Sequence, residues 1–75
     1  MIFLLDDDKY YIIRDDNIRD ALISYADYIG IDGKIFRVLA KSEEMSVKEL
    51  IEYINRFSYN GDYIAEVYEI GKKIY

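Results

Sequence analysis

The sequence predicts an α+β domain in which a small sheet packs with two or three helices. Three observations carry this. The amino-terminal fourteen residues hold two short aliphatic and aromatic runs around a polar turn. Later stretches repeat apolar residues at helical spacing. Of the 75 residues, 52% are hydrophobic, which suffices for a packed core and argues against disorder. A chain of this length makes one domain, spanning residues 1–75. It buries only about 60–65% of the surface its unfolded form exposes. With no Cys and no His, disulfides and the usual structural zinc sites cannot supplement that burial.

The runs Ile2–Leu5 and Tyr10–Ile13 flank the turn Asp6–Lys9 and predict a β-hairpin. With Asp7-Asp8 as a two-residue loop, Leu5 faces Tyr10, Leu4 faces Tyr11 and Ile2 faces Ile13. One sheet face then carries Ile2, Leu4, Tyr11 and Ile13, and the other Phe3, Leu5, Tyr10 and Ile12. Both faces are apolar, whereas a half-solvated antiparallel hairpin alternates apolar with polar. Each side therefore calls for a cover: helices, a second copy or a partner.

Asp15 to Gly30 predicts the first helix. Asp16 or Asn17 serves as N-cap, Gly30 stands at the left-handed C′ position, and Ile18, Ala21, Leu22, Tyr25 and Ile29 form the core stripe. Ile23 lies off that stripe. Lys34–Lys41 reads as a third strand with Phe36, Val38 and Ala40 on one face, set parallel to the second strand by a right-handed crossover. Ser46-Val47-Lys48-Glu49 matches a capping box, with Met45 and Leu50 as a hydrophobic staple. The helix it opens buries Val47, Leu50, Ile51, Ile54 and Phe57, and stops near Asn60-Gly61. The segment Asp62–Tyr75 reads as a helix with Ile64, Val67, Tyr68 and Ile74 on its stripe, or else as a strand over Tyr63–Ile70. The expected order is ββαβαα on a three-stranded sheet, with ββαβαβ as the alternative.

Without His or Cys, the common nucleophile–base pairs and most transition-metal sites are closed to the chain. Gly30 and Gly33 fit neither phosphate-binding spacing, and Asp6-Asp7-Asp8 lacks the glycine of a calcium loop. The expectation is a non-enzymatic protein with no catalytic residues, no cofactor and no metal. The ten Lys and Arg are scattered among fifteen Asp and Glu for a net charge of −5, which argues against direct nucleic-acid binding and favours basic partners. Met1–Leu5 is too short an apolar run for a signal peptide and no stretch is long enough to cross a bilayer, so no membrane association and a cytoplasmic location are expected.

Tyr, with nine copies, is the residue type most out of proportion. Tyr25 and Tyr68 fall on core stripes. Tyr28, Tyr53, Tyr59 and Tyr63 fall at helix edges and beside the Asn60-Gly61 turn, where aromatic anchors suit an interface. Outward-facing acids include Asp20, Asp27, Glu49, Glu52 and Asp62. Together these nine residues make the candidate partner-binding set, with acids steering a basic protein surface and Tyr anchoring it. The alternative is a structural or regulatory subunit that homodimerises through an apolar sheet face.

In size, acidity, Tyr and Ile richness and lack of catalytic residues, the chain resembles small phage-encoded anti-defence proteins, the anti-CRISPR inhibitors among them. The likeness is one of type along the whole chain and assigns no role to individual residues. It implies an inhibitor that docks on a nucleic-acid-handling host complex of CRISPR type, where it occludes a basic channel or blocks a conformational step.

Overall fold

The computed structural model describes residues 2–6, 9–15, 17–58 and 61–75. Strands β1 (Ile2–Asp6) and β2 (Lys9–Ile13) are followed by helices α1 (Ile18–Ile29), α2 (Gly33–Ser42) and α3 (Val47–Phe57). Strands β3 (Glu66–Glu69) and β4 (Lys72–Lys73) close the chain. The class is α+β as expected, but the sheet has four strands in the order β2-β1-β3-β4, antiparallel at every pairing.

The hairpin forms in the register its side chains require: Ile2 opposite Ile13, Leu4 opposite Tyr11 and Leu5 opposite Tyr10. Its loop, Asp7-Asp8, lies outside the described residues. Ile2 and Leu4 are fully buried, joined on the same face by Val67 of β3. They meet Leu22 and Tyr25 of α1 and Leu50, Ile51 and Ile54 of α3 in one continuous core. Each fully buried aliphatic side chain of this kind contributes about 1.5–3 kcal/mol.

α1 begins at Asn17, whose side chain accepts from the Arg19 N–H at 2.8 Å, and ends at Gly30 with φ 87°. It touches α2, α3 and β2. Being packed on several sides, it buries Ile23 as well as the main stripe. Its Arg19 guanidinium donates to the Ala40 carbonyl at 2.9 Å and to the Met45 carbonyl, at 2.6 Å, tying α1 to the end of α2 and the turn beyond it.

The expected third strand at Lys34–Lys41 is instead helix α2, which removes the parallel crossover. The Asp32 side chain caps it, accepting from the Lys34 N–H at 3.1 Å. Phe36 and Ala40, one turn apart, are fully buried, while Val38 between them is 66% exposed. A strand face would have buried all three. α3 carries both bonds of the capping box: Ser46 Oγ accepts from the Glu49 N–H and Glu49 Oε1 from the Ser46 N–H, each at 3.2 Å. Phe57, expected in its core stripe, is exposed at the last helical position.

The carboxy-terminal segment is a hairpin of β3 and β4, so of its two readings the strand holds and the helix does not, and the sheet gains its fourth strand. Asn55 of α3 fixes where the new strand begins. Its side-chain amide donates to the Ile64 carbonyl at 3.1 Å, and its oxygen accepts from the Ile64 N–H at 2.7 Å. The pair mimics a strand partner, and Ala65 N–H then bonds the Leu5 carbonyl at 2.7 Å as the chain enters the sheet. Tyr68, expected on a buried helical stripe, lies on β3 opposite Phe3 and is half-buried.

At roughly 0.05–0.15 kcal/mol per residue, a 75-residue chain has about 4–11 kcal/mol of stability to lose. Phe36→Ala should therefore cost about 3–5 kcal/mol and collapse the denaturation midpoint. Val38→Ala should change stability by no more than about 0.5 kcal/mol, because the site is exposed. Urea unfolding of the two variants checks this, and equal losses would contradict the helical assignment.

Candidate functional site

The side of the sheet away from the helices carries no covering element among the described residues. Opposite residues of antiparallel strands share a face. The registers thus align Ile12, Phe3, Tyr68 and Lys73 in one row across all four strands, and Tyr10, Leu5 and Glu66 in the next. Tyr10 is 74% and Ile12 58% exposed, while Phe3, Leu5 and Tyr68 are half-buried by one another. A shallow groove of about 260 Å³ runs among Phe3, Leu5, Tyr10, Tyr68 and Gly71. Apolar side chains grouped in this way differ from the single exposed residues common to any protein.

One end of this face is polar and internally balanced. The Tyr68 hydroxyl donates to Glu66 Oε2 at 2.8 Å, and Lys73 Nζ pairs with Glu66 Oε1 at 3.2 Å. The Tyr68 hydroxyl, and after it the Lys73 ammonium, holds the Glu66 carboxyl below its ordinary range. The same bond to Glu66 raises the Tyr68 phenol. The face is thus apolar at its centre and close to neutral at its edge.

The β3–β4 turn stands beside the groove. Ile70 and Gly71 both have positive φ, 50° and 75°, in a two-residue loop between Glu69 and Lys72. Such turns favour Asn-Gly, because a β-branched residue pays a steric penalty at positive φ. Ile70 is nevertheless there, and it is 85% exposed.

The nine residues singled out by sequence are distributed over several elements. Asp20, Asp27 and Tyr28 are exposed on α1, and Glu49 and Glu52 are exposed on α3. Asp27 pairs with Arg37 at 3.0 Å, and Glu49 completes the capping box. Tyr28 stands edge-on to Tyr11 with ring centres 5.6 Å apart. Tyr53 packs on Phe36 and Phe57 at 5.7 and 4.6 Å. The two aromatic groups therefore occupy separate neighbourhoods. Asp62 and Tyr63 lie in the connection from α3 to β3, half-buried and exposed respectively. Tyr59 lies outside the described residues. The open-face residues were signalled by the doubly apolar hairpin, except Tyr68, whose place depends on reading its segment as a strand.

Among the described residues, no group of three or more carboxylates is placed to hold a metal ion, and no helix is long and apolar enough to cross a membrane. Comparison with protein-family models, curated proteins and solved structures finds no match to this chain.

A carboxyl held low in the folded state adds stability above its unfolded range and loses it as pH falls through the folded value. The Glu66 contribution should therefore be present at neutral pH and disappear below about 4.5, the ordinary value. The raised Tyr68 phenol acts in the opposite sense, contributing below its usual range near 10.0 and losing effect as pH climbs past the folded value. In Glu66→Gln, the Tyr68 phenol should return towards that ordinary range, as read by carbon NMR of its ring. An unchanged Tyr68 titration would contradict the bond.

Proposed function

We propose that the protein is a non-enzymatic protein-binding module that docks a partner on the open face of its sheet. The observation carrying this is the exposure of Tyr10 and Ile12 beside Phe3, Leu5 and Tyr68, on a face whose opposite side packs Ile2, Leu4 and Val67 against the helices. Aromatic side chains in a shallow apolar groove are the chemistry of interface anchors. The partner we infer is a protein with an apolar contact ringed by basic groups, since the chain carries a net charge of −5.

Charge also argues for a foreign partner over a second copy. Two copies at −5 each repel, and Glu66 and Lys73 are already paired within one chain. In its sharpest form the reading is an inhibitor of a host nucleic-acid-handling complex of CRISPR type, supported by the resemblance of type. The homodimer remains the second reading, favoured by the apolar character of the same face.

Ile70 supports the face as the working surface. Positive φ at a β-branched residue costs about 1–2 kcal/mol, and such strain concentrates at binding sites. Ile70→Asn should accordingly raise stability by about 1 kcal/mol. It should also weaken partner capture.

Leu5→Asp tests the face itself. It adds charge of the sign a basic partner prefers, so a loss of binding cannot come from long-range repulsion. Capture from the native host should fall about thirtyfold, the effect of losing an anchor worth about 2 kcal/mol. An identical set of proteins retained by wild type and Leu5→Asp would overturn the assignment. A tight micromolar dimer in sedimentation, dispersed by Leu5→Asp, would transfer the face to self-association.

A further inference from the structure

A second surface lies at the edge of the sheet, adjoining the open face and sharing Tyr10 and Ile12 with it. β1 is paired on both sides, and β4 is two residues long. β2 is a five-residue edge strand with no partner on its outer side among the described residues. Its outward backbone N–H and C=O groups form a template for one more strand. α1 runs beside this edge and makes it a channel. The groove between them, about 480 Å³, is floored by Tyr10–Arg14 and walled by Ser24, Tyr25 and Tyr28. Tyr11 stands edge-on to both Tyr25 and Tyr28, at 5.1 and 5.6 Å, so the wall is aromatic and preorganised.

Arg14 is the one charged side chain lining this groove. It is exposed, and makes no ion pair among the described residues. We propose that the β2–α1 groove takes an extended peptide segment of a partner protein, which adds as a fifth strand along β2 and sets an acidic residue against Arg14. The strand edge supplies backbone bonds and the Tyr wall receives alternate side chains, the division of labour found wherever a peptide completes a sheet. Charge disfavours a second copy here, because two chains of net charge −5 repel one another.

The test is amide NMR of the full chain, titrated with an acetylated and amidated eight-residue peptide of alternating valine and threonine, with glutamate at each end. A lysine-ended version is the control. The glutamate peptide should shift the amides of residues 10–14 by about 1 mM and slow their hydrogen exchange. Arg14→Glu should weaken it about fivefold and reverse the preference towards the lysine peptide. Ser24→Trp, at an exposed groove position, should block both peptides. Leu5→Asp should leave the titration unchanged, which separates this site from the open face. Absence of shifts at residues 10–14, equal binding of the two peptides, or shifts confined to Phe3, Leu5 and Tyr68 would overturn the proposal. Concentration-dependent protection of β2 without peptide would overturn it in favour of self-pairing.

Discussion

Successive side chains of a strand point to opposite faces, so a hairpin apolar in both phases has two surfaces to cover. This chain has 75 residues to do it with, no disulfide and no zinc ligand of the usual kind. It places its three helices on one side, where Ile2, Leu4 and Val67 meet α1 and α3 in one core. Phe3, Leu5, Tyr10 and Ile12 are left facing outward. The rest of the structure follows from that asymmetry. α2 fills the space beside α1 by burying Phe36 and Ala40, and the β3–β4 hairpin widens the sheet without closing its second face.

Polar side chains act as fasteners between the layers. Arg19 holds the end of α2 and the following turn to α1 through two carbonyls, and Asn55 holds Ile64 at the entrance to β3. Both satisfy backbone groups that no helix or strand ladder serves at those points. Burying such groups unpaired would cost about 1–3 kcal/mol each, so the fasteners decide where elements begin and end as much as the apolar stripes do.

Two sequence patterns led directly to the structure. The hairpin register follows from matching apolar runs about a two-residue loop, and the capping box at Ser46–Glu49 announces α3. Lys34–Lys41 is expected as a strand and forms a helix, because residues four apart share a face in a helix and in a strand alike. Phe36 and Ala40 fit both periods, and Val38 is the residue that distinguishes them. The Asp32 cap just before Gly33 was the local sign of a helix start. The carboxy-terminal segment fitted helix and strand alike, and the strand is selected by its neighbours, through Asn55 and the side of β1 away from β2, more than by its own short pattern. Of the candidate site, the hairpin half was legible, and the Tyr68 half only under the strand reading of its segment. The acids and aromatics chosen for their outward positions proved partly engaged, Asp27 with Arg37 and Glu49 with the Ser46 N–H.

A sheet packed on one side and bare on the other has a direct signature in solution. Methyl NMR with a soluble paramagnetic agent reports each side separately at concentrations where the chain is alone. The account predicts strong broadening of the Leu5 and Ile12 methyls and none at Ile2, Leu4 and Val67. Equal protection of Leu5 and Leu4 would mean that the second face is already covered, and would contradict it.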